Sequence, residues 1–302
     1  MIRKYQNGNV TVTIDDETGW KERFTEDDEF YPAFAECCDV HISDRCDNEC
    51  PFCYAGCSKN GNYGRLFGWK FLETLHPYTE MAINLQMPVS EELHAFLYNM
   101  KQKKIIVNAT VNQKHFMNNE FRELINMWQE LGFIHGIGIS MNEPTDEFIK
   151  AVQSTPNSIV HVINGIVTVE QLEKLANKEI SVLILGYKTV GRGAEFYSVN
   201  TVINESKLYF GLGAIINNNW FKHVCFDNLA LHQLDPKRFL SEEQWELSYQ
   251  GDDGTSTFFI NLVDGTFGKN SLASKEERIS IDDRSIDEMF NMIRVFNIVR
   301  TN

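Results

Sequence analysis

The sequence predicts an α/β fold in which a parallel sheet curls into a partial barrel of six βα units. Six short apolar segments fall at 39–43, 81–85, 105–111, 137–140, 159–163 and 180–185. Amphipathic helical segments separate them, and this alternation builds right-handed βαβ units. The strand segments read as apolar runs, as expected when helices cover one face and a half-closed interior lies on the other. Six units are too few for the usual eight-fold barrel.

Each element has a local reason. Residues 1–36 form a small β element: Val10 to Ile14 alternates at period two, Asp15 to Gly19 supplies turn residues, and Trp20 to Phe24 returns as the partner strand. The first barrel strand, 39–43, runs into a polar, cysteine-bearing loop, and a helix at 69–75 follows. Ser90 caps the next helix, whose apolar stripe is Leu93, Phe96, Leu97 and Met100. Phe121, Leu124, Ile125 and Trp128 share one face of another helix, and 148–152 forms a shorter one. Thr168 and Gln171 make a capping box.

The rhythm changes near residue 200. A helix at 201–217 precedes a strand at 221–226 and a hairpin over 257–267 that turns at Asp264-Gly265. Ser285 and Glu288 box the last helix, which carries Ile286, Met289, Phe290 and Ile293. The expected organisation is therefore a β-hairpin element over 1–36 and a partial barrel over 37–200. An α+β extension over 201–302 closes the barrel or covers its mouth, and sets substrate specificity.

The 302 residues carry a formal charge of −14. That field repels phosphate backbones, so a nucleic-acid partner is not expected. No apolar run approaches the ~20 residues of a membrane span and no signal-peptide pattern opens the chain, which predicts a cytoplasmic protein. The histidines are scattered without HxxH or HExxH spacing, so no second metal is expected.

Seven cysteines in such a chain do not suggest disulfides: the number is odd, and four lie between Cys46 and Cys57. Clustering of that kind points to a metal. Cys37, Cys38 and Cys225 read as buried packing residues on strands. The run Cys46-Asp-Asn-Glu-Cys50-Pro-Phe-Cys53-Tyr54 places CxxxCxxC directly after the first barrel strand. Iron–sulfur cubanes normally take four thiolates, so three closely spaced ones leave one iron open to a ligand. Cys57 keeps a second reading in view, a fully ligated zinc or electron-transfer site.

CxxxCxxC in this position, with the aromatic Phe52 before the third cysteine, resembles the radical S-adenosylmethionine (SAM) superfamily over about residues 37–195. The resemblance implies that Cys46, Cys50 and Cys53 hold three irons of a [4Fe–4S] cluster while the amino and carboxylate groups of SAM chelate the fourth. It implies reductive cleavage of SAM to a 5′-deoxyadenosyl radical that abstracts a hydrogen atom from substrate. The electron would come from an external flavodoxin- or ferredoxin-type donor. Phe52, with Tyr54 adjacent, would lie near the adenine. Where many members carry a Gly-Gly-Glu-like stretch, this chain has Asn84-Leu85-Gln86-Met87-Pro88, leaving Asn84 or Gln86 to meet the SAM amino group. Asn108, Ser140, Asn142, Gly165 and Gly186 occupy strand-end positions that face cofactor in the superfamily, and Arg192 would pair the SAM carboxylate or a substrate anion. No second cysteine cluster follows, unlike the subgroups whose extra clusters accompany peptide maturation. The acidic charge favours a peptide, protein or small metabolite over RNA as substrate.

Overall fold

The computed structural model describes residues 1–27 and 29–294, with the backbone of the last helix continuing to Arg300. Strands β1 (Ile2–Asn7), β2 (Val10–Asp15) and β3 (Lys21–Phe24) form an antiparallel sheet in that order. The second sheet contains β4 (Cys37–His41), β5 (Glu80–Leu85), β6 (Ile106–Asn112), β7 (Gly136–Ser140), β8 (Ser158–Ile163), β9 (Ser181–Leu185), β10 (His223–Phe226), β11 (Thr257–Asn261), β12 (Thr266–Gly268) and β13 (Ile279–Ser280). Its order is β10-β9-β8-β7-β6-β5-β4-β11-β12-β13.

The six expected strands are β4 to β9, all parallel. Segment 221–226 becomes a seventh parallel strand, with His223 opposite Ser181 and Phe226 opposite Ile184. At the other edge β11 pairs parallel with β4, Asn261 opposite His41, and antiparallel with β12. The residues after 200 thus lengthen the sheet at both edges. Among the described residues no strand pairing joins those edges, and the barrel stays open.

The helices begin where the sequence supplies caps. Ser90 Oγ accepts from Leu93 N at 3.1 Å, and the box at Thr168 and Gln171 is complete. Leu93, Phe96, Leu97, Met100, Phe121, Ile125 and Trp128 are buried against the sheet. Each such side chain contributes about 1.5–3 kcal/mol by leaving water.

The strands alternate in burial rather than being apolar throughout. Cys38, Val40, Met81, Ile83, Val107, Ala109, Val111, Ile137, Ile139, Val160, Val162, Val182 and Ile184 face the helices and are buried. The opposite, concave face carries Asp39, His41, Asn84, Thr110, Asn112, Ser140 and His161. Two of the strand cysteines correct the packing expectation: Cys37 is only half-buried and Cys225 is exposed. Both lie at concave-face positions, in register with Glu80 and with Leu183.

The small sheet is fastened to the large one by charge. Glu36, 1% exposed, accepts from Arg23 at 2.8 Å and lies 3.5 Å from Lys21, which also pairs with Glu80. Removing one member of a buried pair leaves an uncompensated charge, at about 3–5 kcal/mol. Glu36→Ala should therefore lower the unfolding free energy by that amount, seen as a lower urea midpoint with an unchanged slope. A loss under about 0.5 kcal/mol, the level of an ordinary surface change, would show that the network does not couple the sheets.

Candidate metal and cofactor site

The four clustered cysteines lie in the loop after β4, at the carboxyl end of the parallel strands, where α/β sheets place ligands. All four are half-buried. The loop folds back on its own stem. Asp44 N donates to Asn62 O at 2.9 Å, Cys46 N to Ser58 O at 2.8 Å and Gly64 N to Ile42 O at 2.8 Å. Isolated bridges pair Ser43 with Tyr63 and Arg45 with Ser58.

Three other segments clamp it. Arg192, after β9, donates from Nε to Cys50 O at 3.1 Å and from a terminal nitrogen to Cys57 O at 2.9 Å. Gly191 has φ +54, and a Cβ there would come within 2.3 Å of Tyr54 O, so a glycine is required for Arg192 to approach this closely. Asn112, ending β6, caps the helix Gln113–Phe116 through Oδ1 to His115 N at 2.9 Å and turns Nδ2 toward Cys46 Sγ at 3.8 Å. His115, 4% exposed, accepts from Met87 N at Nδ1, 3.1 Å, so its Nε2 carries the hydrogen shared with Asp47 at 2.5 Å. Lys114 also pairs with Asp47 at 2.7 Å and is the first cause holding that carboxyl below its usual range. This exposed pair contributes at most about 1 kcal/mol. The Arg192 bonds, charge-assisted and partly buried, contribute about 1.5–3 kcal/mol each.

The thiols differ. Asn48 Nδ2 donates to Cys50 Sγ at 2.9 Å, but burial dominates and pushes Cys50 up. Cys53 is drawn down to about 5, first by a hydrogen bond from the Cys57 thiol, then by backbone N–H groups of Cys57 and Ala55 and the Arg192 cation. The same contact pushes Cys57 up. No three of the four thiols lie within 4.8 Å of one another. Tetrahedral zinc at a Zn–S distance of about 2.3 Å needs thiolates about 3.8 Å apart, so the thiols are not gathered around a single zinc ion.

The other expected residues separate into groups. Phe52 packs edge-on to Phe196 at 5.8 Å, and Lys188 Nζ sits 3.9 Å from the Tyr54 ring. Asn84 is committed to the backbone, accepting from Ile42 N and donating to Ser43 O, both at 2.8 Å. Buried Gln86 lines a cavity of about 120 Å³ with Ser43, Tyr63, Asn84 and Pro88. Ser140 ends β7 in register with Asn112 and His161. Asn142 N is held by Gln113 Oε1 at 2.6 Å. Gly165 follows β8, and Gly186 N donates to Asp227 Oδ1 at 2.8 Å beyond β9. There a second cavity, about 410 Å³, is lined by Asn164, Tyr187, Lys188, Tyr197, Glu205 and Gln233. Asn164 donates to Gln233 at 2.9 Å, but its buried Oδ1 has no partner. A bound ligand's N–H or O–H would satisfy it.

Asn108 is not brought to this rim. It stands early in β6, accepting from Gly136 N at the start of β7 and reaching Glu80 at the start of β5. Asn112, four residues on, reaches the cysteines instead. His161 is a further residue of the concave face, neutral because burial draws it down to about 4. It fits only because residue 138 is glycine, whose Cβ would come within 2.2 Å of its ring. Asp39, on the same face, is pushed up to about 6, first by desolvation, with Asp253 and Asp227 adding to the rise and Lys188 opposing it.

No family model and no curated protein matches the sequence. The fold is similar to that of SuiB from Streptococcus suis. In its structure bound to S-adenosylmethionine the TM-score is 0.67 at 11% identity, covering 98% of this chain and 89% of SuiB. SuiB bound to its precursor peptide SuiA gives a TM-score of 0.65 at 10% identity, covering 96% and 87%.

In the metal-free protein Cys53 should react with iodoacetamide at pH 6, where Cys50 is still protonated. Cys57→Ala removes the hydrogen bond and should move the Cys53 midpoint upward by a unit or more, a change of about 1.4 kcal/mol per unit. Equal rates for Cys53 and Cys50 across pH 5–8, read by peptide mass spectrometry, would contradict the asymmetry.

Proposed function

We propose that this chain is a radical SAM enzyme acting on a peptide, a protein or a small metabolite. One observation carries the reading: three half-buried thiols in CxxxCxxC spacing sit on a clamped loop at the carboxyl end of an open parallel barrel. Cys46, Cys50 and Cys53 would hold a [4Fe–4S] cluster. Bound with SAM, that cluster supplies one-electron reductive cleavage to a 5′-deoxyadenosyl radical.

The chain's own residues position and shield. Asn112 and Asn48 offer N–H groups to Cys46 and Cys50, which stabilise thiolate charge. The Gln86 cavity and the strand-end residues Ser140 and Asn142 would receive the methionine part of SAM. The orphaned Asn164 oxygen, close to Gly165 and Gly186, would take a donor from the nucleoside part. Phe52 and Tyr54 give apolar cover beside Lys188. The clamps from Arg192 and His115 hold the loop against the sheet, which would help to shield a reactive intermediate from water.

SuiB carries SAM and its peptide SuiA on a similar fold, which supports SAM as cofactor here and a peptide within the favoured substrates. The global charge of −14 disfavours RNA. A flavodoxin- or ferredoxin-type donor and a reducing, cytoplasmic setting fit seven free cysteines. Among the described residues no helix is long and apolar enough to cross a membrane. An electron-transfer cluster with Cys57 as fourth ligand is less well supported, because Cys57 is engaged with Cys53 and stands beside His41 and Asp44.

Anaerobic reconstitution should give about four irons per chain, and the dithionite-reduced protein should release 5′-deoxyadenosine and methionine from SAM without substrate. Cys50→Ala should abolish both, and Cys57→Ala should keep the iron. An intact cluster that leaves SAM uncleaved, or equal iron loss in the two variants, would overturn the reading.

A further inference from the structure

The end of β4 and the far side of the cysteine loop bring together three metal-ligating side chains outside the CxxxCxxC set. His41, Asp44 and Cys57 each present one ligand atom, and the three atoms lie within 4.8 Å of one another. His41 Nε2 and Asp44 Oδ1 are 2.6 Å apart. We propose that His41, Asp44 and Cys57 form a second, mononuclear site for a divalent transition metal, zinc by its chemistry, whose fourth position is open.

The donor set decides the class of ion. One imidazole, one carboxylate and one thiolate make a borderline-soft group suited to zinc rather than to magnesium or calcium, which take oxygen shells. Tetrahedral coordination at about 2.0–2.3 Å places ligand atoms some 3.3–3.8 Å apart, so the trio closes on an ion by small side-chain rotations. Three protein ligands are the number at which zinc keeps a position for water or substrate.

The backbone is already assembled for it. Asp44 and the residue after Cys57 are joined directly, Ser58 N donating to Asp44 O at 3.0 Å, and the Arg45–Ser58 bridge continues the pairing. Gly61 packs so close that a Cβ would meet Asp44 O at 2.1 Å. Arg192 fixes Cys57 from behind through its carbonyl. His41 is fixed in β4 opposite Asn261 of β11, with its ring beside Phe259. The His41 side chain is 9% exposed while that of Asp44 is 34% exposed, so the site is walled on the sheet side and open to entry on the loop side.

Zinc would take the place of the Cys57 proton, which passes to solvent, and the Cys53 thiolate would lose that hydrogen bond while keeping its backbone donors. The fourth position would be left to water or to a substrate thiolate or carboxylate. The site uses no residue of the CxxxCxxC motif and does not rest on radical chemistry. It departs from the expectation, drawn from histidine spacing, of no second metal.

The test separates the two sites. In a Cys46→Ser, Cys50→Ser, Cys53→Ser variant, titration with cobalt(II) should show one equivalent bound with a sulfur-to-cobalt charge-transfer band and tetrahedral d–d bands. Adding Cys57→Ser should remove the charge-transfer band. Adding His41→Gln or Asp44→Asn should weaken binding by roughly tenfold or more, with circular dichroism showing each variant folded. In the wild-type protein, metal analysis after reconstitution should find one zinc beside the iron. Absence of cobalt binding, binding without a sulfur band, or a band that survives Cys57→Ser would each overturn the proposal. A failure of iron assembly in the wild type while cobalt still binds the triple variant would instead count against the cluster reading alone.

Discussion

Holding a thiol-bearing loop rigid without spending its own side chains is the constraint on which this site depends. Cysteines meant for a metal cannot also anchor the backbone that carries them, so the anchors come from elsewhere. Arg192 grips two carbonyls from behind β9, and the His115 imidazole ties Asp47 to the segment after β5. Asn84 stitches the loop stem to β5. These bonds connect the ends of β4, β5, β6 and β9, so the loop is set only once several strands have reached their register.

The sheet meets a second demand by dividing its two faces. One is filled with Val, Ile, Met and Ala against helices and supplies the stability. The other carries Asp39, Thr110, Asn112, Ser140 and His161 in successive rows. A polar concave face costs stability unless its groups are paired, and several are not: Asp39 is pushed up, His161 down, and Asn164 Oδ1 is orphaned. Perturbed and unpaired groups gathered on one face are the mark of a ligand chamber.

Much of this was legible in the sequence because it is local. Caps such as Ser90 and Thr168 act within three residues, and the six parallel strands follow from short-range patterning. Asn108 and Asn112 mark where that reasoning stops. Both lie on the concave face at even spacing, and only the pairing of β6 with β5 and β7 decides which one stands at the cysteine end. The same limit hid the parallel pairing of β10 and β11, both read as strands, since their partners in β9 and β4 lie 42 and 220 residues away. In sequence Arg192 reads as an anion ligand and not as a clamp, because its carbonyl partners lie 135 and 142 positions away. The His41, Asp44 and Cys57 group escaped spacing rules for a related reason: its third ligand arrives only after the loop has turned back.

The central claim is that three thiols leave one iron of a cubane open to SAM. Electron paramagnetic resonance of the reduced, reconstituted protein tests it most directly, recorded before and after SAM is added. If SAM's amino and carboxylate groups chelate that iron, the g-values of the reduced cluster shift on addition. A spectrum unchanged at saturating SAM would show a cluster already fully ligated and would contradict the account.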